Sequence, residues 1–247
     1  MSFACGLPTP MSAEPSTVLQ LRAEVVDSFP HDPGAFTQGL QWFDGELYES
    51  TGLYGRSSVR RSEPRSGRVI VQRDLDRAYF GEGLALLGDR LVVLTWKSGV
   101  ALLLERETLE LVDQWGFNGE GWGLTYDGSS LIMSDGTSRL TYRNTEDFGW
   151  LKTVEVTLDG KPVQRLNELE FVDGRLFANL WGEERIVRIE PESGRVDAVI
   201  DASGLLTPGE SRMVDVLNGI AYDGESETFW LTGKFWPRMF QVRFVPR

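Results

Sequence analysis

The sequence predicts an all-β chain, a five-bladed β-propeller closed by an N-terminal strand that completes the last blade. Three observations carry this expectation. Five short stretches, Thr37-Gln38-Gly39-Leu40, Phe80-Gly81-Glu82-Gly83-Leu84, Gly121-Trp122-Gly123-Leu124, Leu166-Asn167-Glu168-Leu169 and Leu217-Asn218-Gly219-Ile220, share one layout. They stand roughly 40 to 50 residues apart, the period of propeller blades. Each opens an apolar strand, then a turn built on Asp and Gly, then a second strand, which is the signature of a hairpin. The last unit stops after a third strand, Met239 to Phe244, while an alternating stretch near the N-terminus has no partner of its own. Pairing the two ends would close the ring and cover its open edge.

Taken in order, Met1 to Ser16 is rich in Pro, Ser and Ala and reads as a loose tail ahead of one propeller domain, residues 17–247. From Thr17 to Val26, apolar Leu19, Leu21, Ala23 and Val25 alternate with polar Gln20, Arg22 and Glu24, the pattern of a strand. First strands follow at Leu40 to Phe43, Leu84 to Leu87, Leu124 to Tyr126, Leu169 to Phe171 and Ile220 to Tyr222. Their turns are Asp44-Gly45, Gly88-Asp89, Asp127-Gly128, Asp173-Gly174 and Asp223-Gly224. Second strands run from Glu46 to Thr51, Arg90 to Trp96, Ser130 to Asp135, Arg175 to Trp181 and Thr228 to Thr232. Third and fourth strands, such as Val100 to Glu105 with Glu110 to Trp115, fill out most units. Asp201 to Val216 is a polar interruption that reads as a rim loop.

With 247 residues, 41% of them hydrophobic, the chain can bury a core. A formal net charge of -12 sets it against phosphate backbones and anionic membranes, so neither nucleic acid nor membrane is an expected partner. The same field favours a cationic ligand, such as the free amino end of a peptide. One cysteine, Cys5, and one histidine, His31, allow no internal disulfide and no Cys/His zinc site. No Gly-x-Ser-x-Gly elbow marks a serine nucleophile, and His31 reads as a turn residue beside Asp32-Pro33. No apolar run reaches the roughly 20 residues of a membrane span. The N-terminus has no apolar signal core, which suits a cytoplasmic protein or a trimmed mature form.

Repeat geometry brings equal positions face to face. At or just before the five aligned positions lie Gln38, Glu82, Trp122, Asn167 and Asn218; at or just past the ends of the second strands lie Gly52, Trp96, Gly136, Trp181 and Lys234. Antiparallel pairing collects both sets at one rim. A carboxylate, a lysine, three tryptophans and three carboxamides form an aromatic-walled pocket with convergent polar groups, the pattern of a small-ligand site.

These residues resemble a known family. His31 to Leu40, Glu49 to Gly55, Phe80-Gly81-Glu82-Gly83, Leu94 to Lys97, Glu120 to Leu124, Leu166 to Glu170 and Leu217 to Ala221 are similar to the plant- and bacterial-type glutaminyl cyclases. The resemblance implies a five-bladed propeller that converts an N-terminal glutamine to pyroglutamate with loss of ammonia, without a metal cofactor. It implies Glu82 as the catalytic carboxylate and a pocket of Phe36, Gln38, Phe80, Trp96, Trp122, Asn167, Trp181 and Lys234. It also implies a secreted or periplasmic protein acting on peptides that begin with Gln, and we expect a monomer.

In that reaction the substrate's own α-amine attacks its γ-carboxamide, so no enzyme nucleophile is needed. Glu82 would take a proton from the amine and give one to the departing nitrogen. Lys234 or Asn167 would stabilise the developing oxyanion, and Gln38 and Asn218 would fix the first peptide group. The glycines flanking Glu82 would let substrate approach it, and Phe80 and Trp122 would raise its pKa by desolvation. Two other readings stand beside this one. A calcium-dependent propeller lactonase could draw on Glu82, Asn167, Asn218 and Asp135, and a non-catalytic propeller could simply bind peptide N-termini. A structural ion in the central channel also stays open.

Overall fold

Each repeat folds into a four-stranded antiparallel meander because its apolar strands are too short to bury themselves alone. In the computed structural model, residues 18–247 are described; the expected tail, Cys5 and Thr17 lie outside them. Strand β1 (Leu19–Pro30) precedes a first blade of β2 (Thr37–Phe43), β3 (Glu46–Thr51), β4 (Ser58–Glu63) and β5 (Arg68–Asp74). The second is β6 (Gly81–Leu87), β7 (Arg90–Thr95), β8 (Val100–Glu105) and β9 (Leu111–Gly116). The third is β10 (Leu124–Tyr126), β11 (Leu131–Ser134), β12 (Arg139–Arg143) and β13 (Trp150–Glu155). A short hairpin, β14 (Thr157–Leu158) with β15 (Lys161–Pro162), leads to β16 (Leu166–Val172), β17 (Arg175–Leu180), β18 (Arg185–Ile189) and β19 (Val196–Asp201). A 3-10 turn, Glu210–Arg212, lies in the polar interruption ahead of β20 (Leu217–Asp223), β21 (Thr228–Gly233) and β22 (Arg238–Pro246). None of the described helices is long and apolar enough to cross a membrane.

The two chain ends meet as expected, though β1 is longer than its alternation suggests. It pairs antiparallel with β22 from Leu21 opposite Pro246 to Pro30 opposite Arg238, with a register shift between Val25 and Asp27. That irregularity ends the sequence alternation at Val26 while the ladder continues. The first residues of β1 also pair parallel with β19, Leu19 opposite Ala198 through Arg22 opposite Asp201. One strand therefore completes the last blade and joins it to the fourth.

The core lies between blades. Leu84 and Leu91 pack with Tyr48 and Val59 between the first and second. Leu94 and Leu124 meet between the second and third, and Ile132 and Leu169 between the third and fourth. Ile186 and Leu231 join the fourth to the last, and Leu40 and Trp230 join the last to the first, which closes the ring.

The innermost strands approach more closely than side chains permit, and this explains Gly39, Gly83 and Gly123, while Gly219 is held at a φ of 123°. A Cβ on Gly39 would stand 2.6 Å from Leu84 N, and one on Gly83 would stand 2.5 Å from Leu124 N. The glycines beside Glu82 therefore serve backbone contact between blades, a correction to their expected role in substrate approach. The fourth blade carries Glu168 at the equivalent position. Its carboxylate reaches across the axis, accepting from Leu40 N at 3.2 Å and Ile220 N at 2.9 Å. Glu170, two residues on, accepts from Tyr222 N at 3.0 Å and from Gln41 Nε2.

Burial pushes the Glu170 carboxyl up to about 8 and holds Glu168 well above the usual carboxylate range. An acid with a raised folded pKa keeps its proton in the folded chain where the unfolded chain has released it. Stability therefore falls as pH climbs from the ordinary carboxylate value towards 8. Glu170→Gln keeps an acceptor for Tyr222 N and cannot ionise. We expect its unfolding free energy, from denaturant titration, to gain on wild type as pH rises from 5 to 8, by an amount on the order of a few kcal/mol. A gap that stays constant over that range would show Glu170 ionised throughout.

Candidate active site

One end of the ring holds a cavity of about 170 Å³ lined by Phe36, Gln38, Phe80, Glu82, Trp96, Trp122, Asn167, Trp181 and Lys234. Every blade contributes. Gln38, Glu82 and Asn167 sit near the starts of β2, β6 and β16, while Trp96, Trp181 and Lys234 stand just past the ends of β7, β17 and β21. Phe36, Phe80 and Trp122 precede innermost strands. Antiparallel hairpins bring a strand's start beside its partner's end, so Gly81 pairs with Thr95 and Leu166 with Leu180.

Glu82 differs from the two channel acids in its partners. Glu168 and Glu170 are hydrogen-bonded to backbone amides, whereas the Glu82 carboxylate has no hydrogen bond or ion pair among the described residues. Its backbone is fixed from behind, with the Ser50 hydroxyl donating to its carbonyl. Burial holds its pKa well above the usual carboxylate range; the Lys234 charge opposes this and Glu120 adds to it. Burial likewise lowers Lys234, against the pull of Glu82 and Asp215. The Lys234 ammonium makes no ion pair among the described residues and stands 4.6 Å from the Phe36 ring centroid. Two buried ionisable groups thus face one cavity, each pushed towards neutrality.

The polar walls are also incompletely satisfied. Asn167 Oδ1 is buried without a partner among the described residues. Gln38 Oε1 accepts from Asn218 Nδ2 at 3.3 Å, leaving Gln38 Nε2 unpaired among the described residues. Unpaired buried polar groups are costly, and a ligand that pairs them recovers that cost.

The aromatic wall is built from tilted and edge-on ring contacts. Phe36 meets Phe80 at 6.0 Å between centroids, Phe80 meets Trp96 at 5.4 Å, and Trp122 meets Trp181 at 6.2 Å. Gly136 is a seat for this wall, since a Cβ there would stand 2.7 Å from the Trp122 ring. Trp181 is 43% exposed and forms the rim.

Sequence reasoning missed Glu120 as a member of the site. One of its oxygens, Oε2, accepts from Trp96 Nε1 at 2.7 Å and from Trp122 Nε1 at 3.0 Å. Lys97 lies 3.6 Å from the other oxygen and 3.9 Å from the Trp96 ring centroid. One carboxylate therefore sets two walls. Its place two residues before Trp122 was the available signal, but nothing local distinguishes it from a surface acid. Because its charge raises the Glu82 pKa, Glu120→Gln should move the acid limb of the kcat/KM profile to lower pH; a limb moving upward would contradict this geometry.

Asn218 is a correction. It does not line the cavity; its Nδ2 donates to Thr37 O at 3.0 Å and to Gln38. Its equal place in the repeat puts it one layer behind Gln38. Asp135 is also absent from the cavity lining, and its carboxylate is taken up by Thr137 in its own turn. Among the described residues no group of three or more His, Cys, Asp or Glu is placed to hold a metal ion.

Comparison with known proteins bears directly on this arrangement. The family described as glutamine cyclotransferase matches residues 2–244. The chain belongs to the glutamine cyclotransferase family. Within that family's reach, it is 42% identical over 226 residues to an Arabidopsis thaliana glutaminyl-peptide cyclotransferase, covering 89% of this chain and 70% of the relative. Its fold is similar to that of Myxococcus xanthus glutaminyl cyclase, with a TM-score of 0.85, 35% identity, and coverage of 94% of this chain and 100% of the other. The RRP9 WD40 repeats share the fold alone, at a TM-score of 0.59 and 10% identity.

Proposed function

We infer that this chain is a glutaminyl-peptide cyclotransferase, an acyltransferase that closes the N-terminal glutamine of a peptide to pyroglutamate and releases ammonia in the cavity around Glu82. The observation that carries the site assignment is that a buried carboxyl, Glu82, and a buried amine, Lys234, each without a hydrogen bond among the described residues, line one aromatic pocket of side-chain size.

The bond that forms joins the α-nitrogen to the γ-carbon, and the bond that breaks joins that carbon to the amide nitrogen. A free α-amine has a pKa of about 7.7–8.0, so near neutrality its deprotonation costs only about 1 kcal/mol. The harder tasks are orientation and departure of nitrogen. Trp96, Trp122 and Trp181 confine the side chain in its ring-closing shape, a kind of restriction that can contribute roughly 7–11 kcal/mol. Glu82 removes a proton from the attacking nitrogen and returns it to the leaving one. A carboxyl with a pKa nearer neutrality suits both directions. Lys234 donates to the oxygen that becomes negative in the tetrahedral intermediate. The partnerless Asn167 Oδ1 suits a substrate N–H, which shifts that residue from an oxyanion donor to a holder of nitrogen. Gln38 Nε2 suits the first peptide carbonyl, and Asn218 fixes Gln38.

A Gln-initiated dipeptide should release one ammonia per pyroglutamyl product, and excess chelator should leave the rate unchanged. Loss of activity on chelation would favour the lactonase reading, and a stoichiometric complex without ammonia would favour a binding module. The family resemblance supports work in the periplasm or outside the cell.

A further inference from the structure

The turn that aims Lys234 is not a relaxed conformation. Phe235 has a φ of 63°, in the left-handed region that disfavours bulky side chains. Contacts with the first blade hold it there: Phe235 N donates to Ala35 O at 2.6 Å, and His31 N donates to Pro237 O at 2.9 Å. His31, the one histidine of the chain, occupies the junction and is 7% exposed. Its Nδ1 lies 2.7 Å from Trp236 O, and its Nε2 lies 3.0 Å from Glu49 Oε1.

Both ring nitrogens face acceptors. Trp236 O can only accept, and Glu49 Oε1 already accepts from the Thr37 hydroxyl at 2.6 Å. The Thr232 hydroxyl donates to Arg238 O at 3.0 Å, so at 3.2 Å from Nδ1 it offers a lone pair. Satisfying both sides requires two ring N–H groups. We propose that His31 is a positioning residue, held as an imidazolium between Glu49 and the Trp236 carbonyl, that locks the turn presenting Lys234 to the cavity. This rests on the role of Lys234 given above.

The charged groups around the ring are Glu49 on β3, Arg60 on β4 and Asp32 on its own loop. Arg60 Nε stands 3.7 Å from Glu49 Oε2 and Arg60 Nη1 2.8 Å from Asp32 Oδ2. Burial alone would lower the imidazole pKa, but the charge and hydrogen bond of Glu49 outweigh it and leave it raised. Glu49 itself is lowered, burial being outweighed by His31 and Arg60. The lock is therefore intact below the ordinary histidine range and released as pH rises through the raised value.

A single histidine makes the test direct, because ring-nitrogen NMR on the untagged chain reports His31 without assignment. Wild type should show both nitrogens protonated at pH 7, titrating above the ordinary value of 6.5. Glu49→Gln should drop that titration below the ordinary value. His31→Gln should lower kcat about tenfold or more with KM changed less, and should move the Lys234 side-chain nitrogen resonance. A neutral ring in wild type at pH 7, or a folded His31→Gln with wild-type kcat and an unmoved Lys234 signal, overturns the proposal. If His31→Gln does not fold, the wild-type and Glu49→Gln titrations still decide it. The resonances require no substrate, so a failure of the cyclisation reading would show as absent ammonia with the lock intact.

Discussion

Glu82→Gln should fold with a melting temperature at or above that of wild type, since burial disfavours the ionised carboxylate, and should lose about 10²- to 10⁴-fold in kcat, the usual range for removing a general acid–base group. The substitution keeps the shape of a side chain that makes no hydrogen bond or ion pair among the described residues, so the structure has little to lose. Binding should persist, because the aromatic walls, Gln38 and Asn167 are untouched. A raised KM with kcat preserved would instead make Glu82 a binding group, and would remove the proton transfer from the account.

Lys234→Met combines two effects of opposite sign. It removes the donor aimed at the oxyanion, and kcat should fall by about 10²- to 10³-fold. It also removes a buried ammonium that, among the described residues, has no ion pair and stands over the Phe36 ring. Burying such a group is unfavourable, so the variant should be no less stable than wild type and gain about 1 kcal/mol, roughly 2–4 °C in Tm for a domain of this size. Lower activity with equal or greater stability marks a residue kept for chemistry. Since the Lys234 charge lowers the Glu82 pKa, its loss also moves the acid limb of kcat/KM to higher pH, opposite to Glu120→Gln. A destabilised Lys234→Met would mean that the ammonium is a structural partner.

The propeller was legible because its repeats are local statements, each an apolar strand, an Asp/Gly turn and a return strand. The rim followed from symmetry, and so Glu82, Trp96, Trp122, Asn167, Trp181 and Lys234 converge in the structure as they do in the repeat. What symmetry could not supply was depth. Asn218 holds the same repeat position as Asn167, yet it turns its carboxamide onto Thr37 and Gln38. The glycines beside Glu82 read as access for substrate, whereas the spacing between inner strands, visible only in three dimensions, is what demands them. Glu120 reaches Trp96 24 residues back as well as its neighbour Trp122, and His31 reaches Glu49 18 residues on, contacts that sequence neighbours do not announce. Phe36 and Phe80 came from family resemblance, since the repeat pattern placed no requirement on residues just before the inner strands.

The most direct measurement follows nitrogen. A Gln-initiated dipeptide carrying ¹⁵N only in its γ-carboxamide is incubated with wild type and with Glu82→Gln. The account predicts that wild type releases all of the label as ammonia, leaves an unlabelled lactam, and does so far faster than the variant. Label retained in the product, or equal release by both proteins, would contradict it.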